Sequence, residues 1–167
     1  MLEPISPEYQ KFYDIFDSVD QNKVSEFKEF LDANAVNFNL FKGGEFIERS
    51  FPFDMIPRII PKAEFDQLEA GIIQRVKALN AFLSDIYTEQ KIIADGIVPI
   101  EYVDTAKAFL PSYMGVVPPK GIRTHISGID LVKDAETGNW VILEDNLRVP
   151  SGVSYPLSIR RAFRHTY

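Results

Sequence analysis

Cysteine is absent from this 167-residue chain, and histidine occurs only twice. The lack of cysteine excludes disulfide bonds, thiolate zinc sites and cysteine nucleophiles, and it is typical of a reducing compartment. His125 and His165 are too few for a histidine-rich metal site, and they supply a Ser-His-Asp triad poorly. Other side chains are therefore expected to carry the chemistry.

Long apolar runs and a secretory signal are also missing. No run approaches the roughly 18–20 residues of a membrane span, and the N-terminus lacks a basic-then-apolar segment. These absences predict a cytoplasmic protein with no membrane partner. A net charge of −6 argues against broad nucleic-acid binding.

The charge is unevenly distributed along the chain. Residues 1–34 carry eight acids and three lysines, whereas residues 147–167 carry four arginines and no acid. Two interpretations of the basic C-terminal segment stay open. It could surround a phosphate-binding loop, or it could be the solvated face of an amphipathic helix.

Length and apolar periodicity predict one α+β unit over residues 1–167. Helical spacing over residues 7–34 indicates a helical N-terminal segment, residues 1–35. The Gly43-Gly44 pair between alternating apolar segments marks a first β-hairpin.

The middle of the chain is predicted to hold one long helix. Three prolines make residues 52–61 an extended connection, and a helix should run from Lys62 to about Tyr87. Its apolar stripe is expected to face a core. A shorter helix over 89–95 and a surface loop over 105–121 should follow.

A second hairpin is predicted from residues 124–132 and 140–147, joined by a turn-rich link. The two hairpins are expected to form an antiparallel sheet with the long helix packed on it. Residues from Pro156 onward should begin a further helix.

The end of this second hairpin carries the most informative side chains. Glu144 and Asn146 are two residues apart in a strand, so they share a face. If Asp134 pairs with Trp140, Asp130 lies opposite Glu144 on that face. Asp130, Glu144 and Asn146 would then be three oxygen ligands for Mg²⁺, whose charge would offset the repulsion between the two acids.

Arg148 and the loop Ser151-Gly152-Val153-Ser154 follow the strand. The guanidinium and the loop amides are suited to phosphate oxygens, which points to phosphoryl chemistry. A plain strand-end corner with a surface arginine is about equally favoured by spacing alone. A glycosidase-like carboxylate pair is less favoured, because no aromatic platform accompanies it.

The histidine and arginine next to the second hairpin allow further interpretations. His125 is expected to form a hydrogen bond within the sheet, and Arg123 could be structural or could bind an anionic substrate.

Four segments together resemble the circularly permuted ATP-grasp proteins, relatives of glutathionylspermidine synthase. The resemblance covers about residue 36 to the end, and its most specific segment is the last. The segments are FPFDMIPRIIP (51–61), GIIQRVKALNAFL (71–83), HISGIDLV (125–132) and LEDNLRVPSGVSY (143–155).

This resemblance implies an ATP-dependent ligase that joins a small carboxylate to an amine or peptide through an acyl phosphate. It implies Mg²⁺ ligands at Asp130, Glu144 and Asn146. Arg148 and Ser151 would then be catalytic, and Arg148, Ser151 and Gly152 would bind the nucleotide.

Family members are far longer, so residues 36–167 would be the N-terminal part of the permuted domain, whose C-terminal half is missing. The isolated chain is then expected to be inactive, and an uncovered apolar face could cause self-association. The alternative is a non-catalytic binding or assembly domain that keeps the motif as a structural corner.

Overall fold

The computed structural model describes residues 6–15 and 20–167. Parts of the predicted helical segment, residues 1–5 and 16–19, lie outside the described residues. The elements in chain order are α1 (Pro7–Ile15), α2 (Gln21–Ala33), β1 (Asn37–Lys42), β2 (Glu45–Ser50), α3 (Lys62–Ile86), α4 (Lys91–Ala94), α5 (Ile100–Asp104), 3₁₀ turns at Pro111–Tyr113 and Pro119–Gly121, β3 (Gly128–Lys133), β4 (Trp140–Asn146) and α6 (Ser154–Thr166).

The chain divides into two compact units. The first unit combines Met1–Lys62 with Ser151–Tyr167, and the second unit is Ala63–Pro150. The organisation of residues 1–167 as a single α+β unit stays a prediction.

The predicted α+β class is confirmed, and both predicted hairpins form. Each hairpin makes its own two-stranded antiparallel sheet, β1 with β2 and β3 with β4, instead of contributing to one common sheet. Each pair is closed by a local turn, and residues 51–127 separate the two pairs along the chain. Gly43 and Gly44, with φ of +65° and +89°, supply the positive angles that the first tight turn needs.

The core of the first unit lies between α2 and α6. Asp20 caps α2 by accepting a hydrogen bond from the backbone N–H of Lys23 at 2.8 Å. Phe27 and Leu31 of α2 are fully buried and belong to one cluster with Ala162 of α6. The amphipathic spacing of the N-terminal segment is therefore core packing.

In the second unit, α3 packs along the hairpin β3–β4. Glu64, in the first turn of α3, accepts hydrogen bonds from Trp140 Nε1 and from Lys133 Nζ, the latter at 2.7 Å. The predicted stripe on α3 is only partly covered. Leu68 and Ile72 are half-buried beside a cavity of about 240 Å³, while Phe65 is 49% exposed.

The second hairpin begins later than its sequence predicts. β3 starts at Gly128 and not at Thr124, because a side chain of α3 captures the preceding backbone. Asn80 Oδ1 accepts hydrogen bonds from the N–H groups of Arg123 and Thr124, so these groups cannot enter a strand ladder. Among the described helices, none has the length and apolarity that a bilayer crossing needs.

Candidate functional site

The β3–β4 register places the two predicted acids opposite each other. Asp130 pairs with Glu144, as predicted. The assumed pairing of Asp134 with Trp140 is wrong, because Trp140 pairs with Lys133.

A bulge in β4 reconciles these two results. Asp130 faces Glu144 and Leu131 faces Ile142, so the register shifts by one residue between them. Leu143 has no cross-strand partner and is 66% exposed. The extra residue restores the pairing of the acids and bends the strand at the point where the acids meet.

The three predicted metal ligands come together at this end of the hairpin. Asn146 Nδ2 donates a hydrogen bond to Glu144 Oε1 at 2.9 Å and lies 3.4 Å from Asp130 Oδ2. Asp130 and Glu144 are exposed, and Asn146 is half-buried. We call Asp130, Glu144 and Asn146 the acid–amide cluster.

The pKa of Asp130 is changed by the closeness of Glu144. A hydrogen bond to Glu144 raises the pKa of Asp130 above its ordinary value, and the negative charge of Glu144 adds to the rise. The amide of Asn146 acts in the opposite direction. Asp130, which faces a second carboxyl, thus holds its proton more tightly than an isolated carboxyl does.

The donor set of the cluster suits a hard divalent cation. Two carboxylates and an amide offer oxygen ligands of the kind that Mg²⁺ prefers, and half a turn of the Asn146 amide exchanges Nδ2 for Oδ1. A cation would also offset the repulsion that raises the pKa of Asp130. Groups of three or more His, Cys, Asp or Glu side chains able to hold a metal do not occur among the described residues. The roles of the three side chains as ligands stay predictions.

Asp145 points away from its two neighbours in the cluster. Arg75 of α3 donates to it through Nε and Nη2, at 2.8 and 2.6 Å, in a bidentate ion pair. The hydrogen bonds from Arg75 lower the pKa of Asp145. This pair ties the end of β4 to α3 and so holds Glu144 and Asn146 from the opposite face of the strand.

The segment after β4 folds back over the start of β3. A Cβ added to Gly128 would lie 2.9 Å from Pro150 Cβ, so any larger residue at this position forces the proline to shift. Val149 has φ of +43°, in the left-handed region that β-branched residues avoid, and its side chain is 83% exposed. The backbone beside the cluster is therefore strained.

Arg148 belongs to this folded-back segment. It is exposed and forms no hydrogen bond or ion pair with another described residue. Ser151 and Gly152 belong to the first unit, where Gly152 has φ of +88° and accepts a hydrogen bond from the N–H of Tyr155 at 2.9 Å. A phosphate cradle built from Arg148, Ser151 and Gly152 stays a prediction.

Sequence reasoning missed the partner of Asp145 and misjudged His125. Strand alternation gives a signal for the first, because it turns Asp145 to the face opposite Glu144 and Asn146. Nothing in the sequence singles out Arg75 on α3. The hydrogen bond expected for His125 within the sheet is not formed with any described residue, because His125 precedes β3 and is exposed.

Comparison with known proteins shows the family to which this chain belongs. Residues 57–167 match the sequence model described as circularly permuted ATP-grasp type 2. The matched range contains the acid–amide cluster, Arg75 and Arg148. The resemblance predicted from the sequence is thus confirmed at the level of the family.

Individual relatives agree with this match. The chain is 52% identical over 132 residues to an uncharacterized protein of Synechocystis sp., covering 79% of this chain and 27% of the relative. It is 48% identical over 120 residues to an uncharacterized protein of Mycobacterium tuberculosis, covering 72% and 22%.

A third relative carries a name that states a reaction. The chain is 48% identical over 118 residues to a Frankia casuarinae protein named "Putative glutamate--cysteine ligase 2-2", covering 71% of this chain and 14% of that protein. The chain thus spans about a quarter or less of the length of these relatives.

Proposed function

We propose, from the premise that this chain belongs to the circularly permuted ATP-grasp type 2 family, that it provides the metal-binding part of an ATP-dependent ligase. Asp130, Glu144 and Asn146 are the proposed Mg²⁺ ligands. The observation that carries the proposal is the acid–amide cluster itself, where two carboxylates face each other across a hairpin beside an amide.

The proposed reaction joins a carboxylate to an amine through an acyl phosphate. The terminal phosphoryl group of ATP passes to a carboxylate oxygen and ADP leaves. The amine then attacks the acyl carbon and phosphate leaves. The name of the Frankia relative supports amino acids as substrates. Mg²⁺, when bound, would neutralise charge on the phosphates during transfer.

The chain's own side chains have distinct parts in this proposal. Asp130 and Glu144 would hold the cation as carboxylates, so the proton favoured by their approach must leave when the metal binds. Arg148 is exposed and lacks a partner among the described residues, which leaves its guanidinium available for phosphate oxygens. Ser151 and Gly152 are proposed to approach the same phosphates.

The isolated chain is proposed to bind Mg-nucleotide weakly at most and to lack ligase turnover. Its relatives are several times longer, so groups that clamp the nucleotide would lie in the rest of such a protein. A cytoplasmic location is proposed as well, on the absence of cysteine.

A second candidate is a non-catalytic assembly domain that keeps the motif as a corner. One observation favours it, since the Asn146 amide donates a hydrogen bond to Glu144 and lies 3.4 Å from Asp130, contacts that can fasten the hairpin end by themselves. In that case the cluster would stabilise the hairpin end and would have no selectivity for divalent cations.

A manganese titration separates the two candidates. Mn²⁺ replaces Mg²⁺ at oxygen sites and its free concentration can be followed by electron paramagnetic resonance, with and without ATP. We expect saturable binding to the wild-type chain, and at least about tenfold weaker binding to Glu144→Gln, because even outer partners of a metal contribute about 10–100-fold. Glu136→Gln is the matched control, since Glu136 is an exposed acid in the turn at the other end of the hairpin.

Two results would decide against the ligase proposal. One is equal Mn²⁺ affinity in the wild-type chain and Glu144→Gln. The other is a loss of folding in Glu144→Gln without any saturable metal binding in the wild-type chain, which is the outcome that the corner predicts.

A further inference from the structure

The first hairpin leaves the outer edge of strand β2 uncovered. All six residues of β2 (Glu45–Ser50) are exposed, and β1 is its one strand neighbour among the described residues. A helix meets β2 at its last residue, where Ser50 Oγ donates a hydrogen bond to Asp32 of α2 at 2.9 Å. The outer edge of β1 is partly closed, because the Tyr155 hydroxyl donates to the Asn37 carbonyl oxygen at 2.9 Å. The open edge of this hairpin is therefore that of β2.

The backbone groups of this edge point away from β1. The N–H of Phe51 donates to the carbonyl of Val36 at 3.4 Å, directly beyond the ladder, and antiparallel ladders alternate between bonded and non-bonded pairs. The pairs that exchange hydrogen bonds inside the hairpin are therefore Phe38–Arg49, Leu40–Ile47 and Lys42–Glu45. The N–H and C=O groups of Phe46 and Glu48 face outward, and no neighbouring element among the described residues bonds to them. An edge of this kind is a template for a further strand.

The charged side chains of this edge are complementary to a second copy of the same edge. Glu45 and Arg49 lie on the same face of β2 as Ile47, two residues to either side of it, and are exposed. Their side chains form no hydrogen bond or ion pair with another described residue. If two β2 strands pair antiparallel about Ile47, Glu45 of each copy lies opposite Arg49 of the other. Phe46 of each copy then lies opposite Glu48 of the other, so outward-facing backbone groups meet outward-facing ones.

Neighbouring registers lose this match. The outward-facing groups stay opposed only if one strand moves by two residues. That move places Glu48 opposite Glu48 in one direction and Glu45 opposite Ile47 in the other. Opposite charges stabilise an antiparallel pair, whereas like charges destabilise it. In the matched register the 39% exposed Ile47 meets its own copy in a non-bonded pair, where side chains approach most closely.

We propose that β2 is a dimerisation edge, at which two copies of this chain pair antiparallel about Ile47 and form one four-stranded sheet in the order β1-β2-β2-β1. The complementarity of Glu45 and Arg49 selects a second copy as the occupant. Two six-residue edges form a small interface, so the dimer belongs to the weak class that assembles at high protein concentration. The proposed metal site lies in the second unit and β2 in the first, so either proposal can fail without the other.

Sedimentation velocity of the 167-residue chain over a range of concentrations tests this edge. We expect the weight-average mass of the wild-type chain to rise towards that of a dimer. Arg49→Glu and Glu45→Arg should each weaken dimerisation at least about tenfold, because both opposite-charge pairs of the interface become like-charge pairs. An equal mixture of the two variants should dimerise again, since every glutamate then faces an arginine. Glu29→Arg, a charge reversal at an exposed position of α2, should dimerise as the wild-type chain does.

Amide hydrogen exchange followed by nuclear magnetic resonance locates the contact in the wild-type chain. The outward-facing amides of Phe46 and Glu48 should exchange more slowly as the protein concentration rises. Ile47 is the internal reference, because its N–H already bonds to Leu40 inside the hairpin. These wild-type amides keep the test decisive if a charge variant fails to fold.

Four results would each overturn the dimerisation edge. They are a monomer at every concentration, equal association in Arg49→Glu and the wild-type chain, no dimer in the mixture of the two folded variants, and unchanged exchange at Phe46 and Glu48. The second and fourth results would show that the chain associates through a different surface.

Discussion

Gly128→Ala tests whether the close approach of Pro150 shapes the backbone beside the acid–amide cluster. The added Cβ would lie 2.9 Å from Pro150 Cβ and 3.5 Å from Asn146 Cβ. Carbon atoms pack best at about 3.5–4.0 Å, so the rigid proline ring must move by roughly 0.6–1 Å. Gly128 itself does not have a positive φ, so the contact and not the backbone angle decides the outcome.

The expected magnitude follows from two opposing terms. Overpacking of this kind costs about 1–3 kcal/mol. Replacing glycine where alanine is allowed returns about 0.4–1 kcal/mol, because the unfolded chain has fewer conformations. The free energy of unfolding should therefore fall by about 1 kcal/mol. Pro150 cannot move without displacing the strained segment that also carries Arg148.

Gly71→Ala is the matched control for this change. Gly71 lies inside α3, and a Cβ there meets no atom within 4 Å. The helix interior favours alanine over glycine by about 1 kcal/mol, so this variant should become more stable. Guanidinium denaturation followed by circular dichroism would show the two variants moving in opposite directions. An equal gain of stability in Gly128→Ala would refute the proposed contact.

Three further predictions follow from the electrostatics and the core. Mg²⁺ should raise the melting temperature of the chain at pH 7 in scanning fluorimetry, but not that of Glu144→Gln. This rise should shrink at lower pH, because the raised pKa of Asp130 favours its protonated form and protons then compete with the metal. Without metal, protonated Asp130 contributes to the stability of the fold below pH 3.8, and this contribution disappears as the pH rises through the folded-state pKa. Asp145→Asn should lower the denaturation midpoint at neutral pH. The difference from wild type should vanish in acid, because the stabilisation that accompanies the lowered pKa of Asp145 is fully present above pH 3.8 and is lost as the pH falls through the folded-state pKa. A difference that stays constant with pH would contradict this. Phe27→Ala should cost about 3–5 kcal/mol, because Phe27 is fully buried, whereas Phe46→Ala, at 77% exposure, should change stability by no more than about 0.5 kcal/mol in the same denaturation assay.

Periodicity and turn signals predicted most elements because those signals are local. The Gly43-Gly44 pair can only close a tight turn, and the apolar spacing from Lys62 onward continues for seven helical turns. Strand β3 was predicted too long for the opposite reason. A side chain far away in sequence, Asn80, takes the N–H groups of Arg123 and Thr124, and no pattern near residue 124 reports it.

The acid pair was predicted through a register that is only locally correct. The sequence pattern supports an unbroken ladder from Trp140 to Asn146, but the structure has a bulge at Leu143. The turn end of the hairpin is therefore one residue out of the predicted register, while the end that carries Asp130 and Glu144 agrees with it. A bulge elsewhere in the strand does not change which face two residues at i and i+2 share, but it does change cross-strand pairs counted from the turn.

The run Glu144-Asp145-Asn146 shows how one strand end can present proposed metal ligands on one face and be fixed to α3 through the other. Strand alternation turns Glu144 and Asn146 to one face, where they meet Asp130. It turns Asp145 to the other face, where Arg75 forms an ion pair with it. A carboxylate whose two oxygens already accept hydrogen bonds from an arginine is a weak ligand for a metal. The acid between the two proposed ligands is therefore best understood as the residue that holds them in place.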